Sequence, residues 1–183
     1  MIRKIHMNVG STPIGKAITW SYPHDDGNTY EIPTYKLTVS GTDDKGNPAS
    51  KDYEVFRFGV QRKTATSSAR VVGLADLQTH TIKKWIPTYE VHSASSPEKG
   101  AWQVYDNFLI HDGPDSPMTE LYASIGCVEI CGGPSGFVGF NDFIISLSGS
   151  TKKTRGEQLK EIGDSGKLTI TYQKATRPPL KIK

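Results

Sequence analysis

Cys127 is the residue whose type and surroundings most clearly indicate chemistry. It follows a glycine in the segment Ser124-Ile125-Gly126-Cys127, and glycine lets a backbone turn tightly and approach a bound molecule closely. A thiol becomes a useful nucleophile when it loses its proton with the help of a nearby base or cation. Main-chain N–H groups in such a turn can stabilise charge that develops on a carbonyl oxygen. The pattern predicts a cysteine nucleophile in acyl transfer.

His111 is the candidate partner of this thiol. It ends the apolar segment Phe108-Leu109-Ile110, which is predicted to be a strand. An imidazole at the end of a strand can point towards a neighbouring loop. Cysteine is often only a buried packing residue, and a single histidine is equally ambiguous. The prediction therefore depends on the two residues together.

The motifs around both residues resemble a known family. Ile110-His111-Asp112-Gly113 is followed by Ser124-Ile125-Gly126-Cys127-Val128-Glu129 and by a predicted helix. This order resembles the L,D-transpeptidase catalytic domain of the YkuD type. That family carries a histidine, often as Ile-His-Gly, and then Ser-His-Gly-Cys, an aliphatic residue and commonly Arg or Asn. The resemblance covers about residues 108–147 and implies a β-sandwich-like catalytic fold.

The resemblance also implies a role for each matched residue. Cys127 would attack a peptide carbonyl, and His111 would be its general base. Asp112, or the main-chain carbonyl of residue 112 or 113, would orient the imidazole. The substrate and oxyanion region would contain Gly113, Ser124, Gly126 and Glu129. The implied substrate is a peptidoglycan stem peptide, with an amine or water as acyl acceptor and without a metal or cofactor.

Two positions depart from the family pattern. Ile125 stands where the family has a second histidine, and Glu129 stands where it commonly has Arg or Asn. An arginine there could contact a substrate carboxylate, whereas Glu129 could favour an amine. The departures indicate a divergent branch.

The elements that must position these residues are mainly strands. Alternating segments at 35–39 and 53–58 flank a Gly/Asp-rich loop and predict a hairpin, and further strands are expected at 85–91, 108–111 and 167–172. Ser135 can cap a helix whose apolar face holds Phe140, Phe143, Ile144 and Leu147, with Gly149 at its end. A weaker helix is expected at 155–162, ending at Gly163. The class is mainly β with one or two helices.

Composition sets broad limits on the protein. The 183 residues, 36% hydrophobic and 22% charged, predict one soluble globular domain spanning 1–183. The net charge of +3 comes from scattered residues and does not predict nucleic-acid binding. No apolar run approaches the roughly 20 residues of a membrane span. Cys127 and Cys131, the two cysteines, are too far apart for a bridge if the chain between them is extended.

The expected site of action depends on the family resemblance and on the N-terminal residues. No apolar run follows Arg3-Lys4, so no secretory signal peptide is predicted, although peptidoglycan lies outside the cytosol. Both features suit an antibacterial toxin that is made in the cytoplasm and acts in the periplasm of a target cell. Its expected partners are a contact-dependent (type VI) secretion apparatus and an immunity protein.

Two other functions remain open at this stage. Another class of cysteine peptidase is less favoured, because the NlpC/P60 type places Cys before His, whereas here every histidine precedes Cys127. A non-catalytic β-sandwich binding module would make Cys127 structural. A catalytic Cys127 is expected to react with alkylating reagents faster than a free thiol. Within the intervening loop at 114–122, a candidate lid, Asp115, Ser116 and Glu120 are candidate substrate contacts.

Overall fold

Strands dominate the fold, as the many short β-branched and aromatic segments predict. The computed structural model describes residues 1–90, 98–132 and 136–183, and these contain fourteen strands and two helices. The strands are β1 (Ile5–Val9), β2 (Gly15–Trp20), β3 (Tyr22–Pro23), β4 (Thr29–Thr42), β5 (Pro48–Phe56), β6 (Gly59–Arg62), β7 (Arg70–Val72), β8 (Gln78–Thr81), β9 (Lys84–Ile86), β10 (Ala101–Tyr105), β11 (Phe108–Asp112), β12 (Tyr122–Ala123), β13 (Val128–Ile130) and β14 (Leu168–Tyr172). The helices are α1 (Phe137–Ser148) and α2 (Arg155–Asp164). The prediction of a mainly β fold with one or two helices is confirmed.

Most strands belong to one mixed sheet that curls. Its main path runs β8-β14-β1-β4-β5-β13-β11-β10-β9, and β2 and β12 attach through β4. The pairs β1–β14 and β11–β13 are parallel, and the other pairs along the path are antiparallel. Curling brings β10 near β8. A smaller sheet has the order β3-β6-β7.

The predicted hairpin forms the centre of the large sheet. β4 pairs with β5 so that Tyr35 lies opposite Val55 and Leu37 opposite Tyr53. Thr34 and Tyr35 are buried in succession, which is where β4 passes from one apolar cluster to another. The main cluster is covered by α1 and α2, and a smaller cluster contains Ile32.

Helix α1 confirms the predicted apolar face. Phe140, Ile144 and Leu147 are fully buried, and Phe143 packs at the edge of the main cluster. Gly149 ends the helix with a left-handed φ of 73°, the conformation that favours glycine there. The predicted cap, Ser135, lies outside the described residues.

Helix α2 extends beyond its predicted end. The Thr154 side chain accepts a hydrogen bond from the Glu157 main-chain N–H and starts the helix. The prediction that Gly163 ends it was wrong, because α2 continues to Asp164. Gly163 is required instead by packing, since a Cβ there would lie 2.5 Å from the Trp85 nitrogen. Neither described helix is long and apolar enough to cross a membrane.

The strand predicted at 85–91 is much shorter than expected. β9 ends at Ile86, and Pro87 follows without an N–H group to extend the pairing. The chain then turns, with the Tyr89 N–H donating to the Ile86 carbonyl at 3.5 Å. The end of the predicted strand, at Val91, lies outside the described residues. The turn carries Tyr89 to the cleft that His111 lines.

Candidate active site

Two adjacent parallel strands position the candidate residues. In the β11–β13 pair, His111 lies opposite Glu129 and Ile110 opposite Val128. Side chains alternate between the two faces of a strand, so Ile110 and Val128 enter the main apolar cluster. His111 and Glu129 lie on the other face, and Cys127, two residues before Glu129, lines the same cleft.

The turn before Cys127 depends on close backbone packing. Gly126 has a φ of 102°, and a Cβ there would lie only 2.8 Å from the Cα of Gly73. A Cβ on Gly59 would collide with the Ser124 carbonyl, which accepts a hydrogen bond from the Val60 N–H at 2.9 Å. The tight turn predicted at Gly126 is therefore present, and neighbouring glycines hold it close to the sheet.

Cys127 and His111 line one cleft of about 340 Å³. Its lining combines aromatic, amide and carboxyl groups from several elements. The lining residues are Tyr22, Ile86, Tyr89, Gln103, Asp106, Asn107, Leu109, His111, Ala123, Ser124, Ile125, Cys127 and Glu129. This volume is within the usual range for a small-molecule or peptide site.

His111 is held by its own main chain. Its Nδ1 lies 2.8 Å from the Asp112 carbonyl oxygen, and because a carbonyl can only accept, Nδ1 carries the proton in this arrangement. Nε2 is then the nitrogen that carries no proton. The ring also packs against Tyr89, with centroids 5.0 Å apart. Of the predicted orienting groups, the carbonyl of residue 112 makes this contact.

Cys127 is a buried, protonated thiol in the resting protein. Its S–H group donates to the Asn107 carbonyl over 3.6 Å. Burial raises the pKa of Cys127 to about 12, the main-chain N–H of Leu109 opposes the rise, and the Glu129 carboxylate adds to it. A thiol in this state predicts slow alkylation at neutral pH, contrary to the fast reaction expected from the sequence. The thiol must therefore pass its proton to a base as the sulfur attacks.

Glu129 is the most unusual group in the cleft. Its side chain is 1% exposed, and its Oε2 lies 4.0 Å from His111 Nε2. Burial raises the pKa of Glu129 well above its ordinary value, the Ser124 hydroxyl opposes the rise, and the Asp112 carboxylate adds to it. Within the described chain, neither oxygen accepts a hydrogen bond of ordinary length and angle. Glu129 is thus part of the site and is not a solvated surface residue.

No family model, curated protein or solved structure gives a significant match to this chain. The resemblance to L,D-transpeptidases therefore stays a prediction that rests on the two motifs.

Other predicted site residues lie near the cleft without lining it. The Gly113 N–H donates to the Ile130 carbonyl at 2.9 Å and is committed to that contact. Gly126 and Asp112 are buried beside the cleft. Residues 114–122, the whole of the candidate lid, do not line it. There the Glu120 carboxylate accepts from the Ser116 N–H at 2.8 Å, and Asp115 and Ser116 are exposed.

Several lining residues carried no signal in the sequence. Tyr22, Tyr89, Gln103 and Asn107 reach the cleft from distant elements, and only the fold brings them together. Trp102, close to His111 in the sequence, is fully buried and donates its indole N–H to the Asn141 side-chain oxygen at 2.8 Å. Among the described residues, no three His, Cys, Asp or Glu side chains are grouped to hold a metal ion.

Proposed function

We propose that this protein is a cysteine acyl-transfer enzyme of the L,D-transpeptidase type that acts on peptidoglycan stem peptides. The observation that supports it is the joint position of Cys127 and His111 in one cleft, with Nδ1 donating to a main-chain carbonyl so that Nε2 carries no proton. A nucleophile, a base and a group that orients the base are the minimum set for this chemistry.

In the proposed first step, Cys127 attacks the amide carbonyl of the stem peptide as its S–H proton passes to His111 Nε2. The tetrahedral intermediate then collapses, the C–N bond breaks, and the leaving amine takes the proton from His111. A thioester remains on Cys127. Because burial keeps the pKa of this thiol high, attack and proton transfer occur together and no stable thiolate forms beforehand.

In the second step, an amine or water attacks the thioester. An amine gives a new crosslink or an exchanged residue, whereas water gives hydrolysis. The proposed place of action is the periplasm and cell wall of a target cell, reached through a secretion apparatus, with an immunity protein as the partner in the producing cell.

Expression in two compartments tests this proposal. The protein kept in the cytosol is expected to be tolerated, because its substrate is absent there. The same protein with an added signal peptide is expected to damage the wall and to require Cys127. Altered stem-peptide lengths or crosslinks, with intact glycan chains, are the expected products. Equal toxicity in both compartments, or shortened glycan with unchanged stem peptides, contradicts the proposal.

A non-catalytic binding module is the second candidate, and the buried, protonated state of Cys127 favours it. A module of this kind would bind stem peptides without changing their mass. It would also bind them equally well after Cys127→Ala. Binding and product analysis on the same muropeptides separates the two functions.

A further inference from the structure

The buried carboxyl group of Glu129 indicates what kind of ligand the cleft binds. Both of its oxygens are buried and accept no hydrogen bond of ordinary geometry from the described chain, yet the residue lines the cleft. Burying a polar group without partners costs free energy, and native proteins rarely tolerate it without a reason. A ligand that brings N–H donors to this position would supply the missing partners.

The charge of the cleft indicates which kind of ligand that is. Its described lining includes the acids Asp106 and Glu129 and contains no lysine or arginine. Such a lining favours a cationic group and disfavours a carboxylate. A primary ammonium group provides both the positive charge and the N–H donors.

The position of Glu129 relative to His111 indicates when that amine is needed. Oε2 is 4.0 Å from Nε2, the nitrogen that exchanges protons with the thiol in the proposed reaction. A group bound to Glu129 therefore lies next to the proton acceptor that a nucleophilic amine requires.

We propose that Glu129 binds the primary amine that accepts the acyl group from Cys127, so that the thioester passes to an amine in preference to water. This rests on the proposed function, and it assigns to Glu129 the selection between the two acceptors, amine and water, that the proposed function allows.

The proton balance of the step is complete with these groups. The ammonium group gives one proton to the Glu129 carboxylate, and its nitrogen attacks the thioester carbonyl. A second proton passes to His111 Nε2, the C–S bond breaks, and His111 returns that proton to the Cys127 sulfur. The product is an amide that keeps the third hydrogen, and Glu129 then releases its proton to solvent. Burial raises the pKa of Glu129, which makes it a stronger base towards the ammonium group than an exposed carboxylate.

The test measures how the thioester divides between two products. The whole protein is given a stem-peptide donor and, as acceptor, a stem peptide with a free side-chain amine. Mass spectrometry measures the ratio of amide product to hydrolysed product, which does not depend on how much thioester forms. Glu129→Gln is expected to lower this ratio about tenfold or more, as expected for losing one charge-assisted hydrogen bond to a ligand. Glu157→Gln, on the exposed surface of α2, is the matched control and should match the wild type.

A second measurement uses the wild-type protein alone and does not depend on the folding of a variant. At neutral pH an alkylamine is mostly a cation, whereas methoxyamine is mostly neutral and is the better nucleophile in solution. Preference for the alkylamine stem peptide supports the proposal. Preference for methoxyamine, or an equal product ratio in wild type and Glu129→Gln, overturns it. A wild-type protein that forms no thioester at all overturns the proposed function itself, and the inference with it.

Discussion

Arg57 and Glu129 are both buried charged residues, but they are satisfied very differently. Arg57 is fully buried, and its guanidinium donates to the carbonyls of Gly10 at 2.8 Å, Leu74 at 3.1 Å and Gln173. It also lies 5.6 Å from the centre of the Phe58 ring. Glu129 Oε2 lies 4.0 Å from His111 Nε2, and neither Glu129 oxygen accepts a hydrogen bond of ordinary geometry in the described chain.

The difference is the one expected between a structural group and a functional one. Arg57 holds three chain segments together, and its donors have acceptors within the fold. Glu129 lacks equivalent partners, and it faces a cleft that also holds a thiol and an imidazole. Residues that lower stability without evident compensation tend to occur at functional sites. Substitutions on the two sides should therefore change different properties, activity at the cleft and stability at Arg57.

The largest expected effect is the loss of turnover in Cys127→Ala. The substitution removes the nucleophile, so muropeptide processing should fall below detection, while the free energy of unfolding in urea changes by about 1 kcal/mol or less. Cys131→Ala is the matched control, because Cys131 belongs to the smaller apolar cluster. It should keep activity at a modest cost in stability. Processing by Cys127→Ala at the wild-type rate would show that this cleft is not the active site.

Arg57→Met should have the opposite pattern, with a large loss of stability. It leaves buried carbonyls without donors, at about 1–3 kcal/mol for each. We expect the free energy of unfolding to fall by about 3–5 kcal/mol. Urea denaturation followed by circular dichroism measures this. A variant as stable as the wild type would mean that the hydrogen bonds of Arg57 do not stabilise the fold. Arg57 and Glu129 would then not differ in the way proposed.

Gly126→Ala should affect both properties. The positive φ and the 2.8 Å approach to Gly73 predict strain and a shift of the turn that carries Cys127. A loss of about 2–3 kcal/mol in unfolding free energy is expected, together with reduced turnover. Gly46→Ala is the control, since Gly46 has a φ of 83° but no atom within 4 Å of an added Cβ. It should cost about 1 kcal/mol and leave turnover intact.

The smallest expected effect is a gain of stability in Glu129→Gln at pH 7. The pKa of Glu129 is raised above its ordinary value of 4.5, so the folded chain holds this proton more tightly than the unfolded chain. Its contribution to stability is therefore full below pH 4.5 and is lost as the pH rises. Glutamine does not ionise. The substitution should therefore stabilise the fold by about 1 kcal/mol at neutral pH and leave the free energy of unfolding unchanged in acid. Urea denaturation at both pH values checks this, and a loss of stability at pH 7 contradicts it.

Local patterns in the sequence predicted much of the fold. The hairpin of β4 and β5, the apolar face of α1 and the last strand β14 follow directly from alternation and helical spacing. Errors arose where tertiary contacts decide the outcome. Gly163 looks like a helix end, but it lies inside α2 because β9 packs against it. Similarly, sequence alternation predicted a strand at 85–91, but β9 ends at Ile86 and Pro87 follows it.

For the candidate site, the sequence indicated the reactive groups but not their environment. The motif residues Cys127, His111 and Glu129 do line one cleft. The other lining residues, including Tyr22 and Tyr89, reach the cleft through long-range packing that no short motif encodes. The burial that raises the pKa of Cys127 and Glu129 also depends on the whole fold. The motif alone does not reveal this burial, and it therefore predicted a fast-reacting thiol.

Thioester formation on Cys127 is tested most directly by the mass of the intact protein after incubation with purified muropeptides and rapid acid quenching. A fraction of the protein is expected to gain the mass of one acyl-linked stem peptide, with the adduct located on Cys127 by peptide mapping and missing from Cys127→Ala. Released stem peptides should lose their terminal residue or exchange it. Folded wild-type protein that binds muropeptides but carries no adduct and leaves their masses unchanged would contradict acyl transfer by Cys127 and favour a binding module.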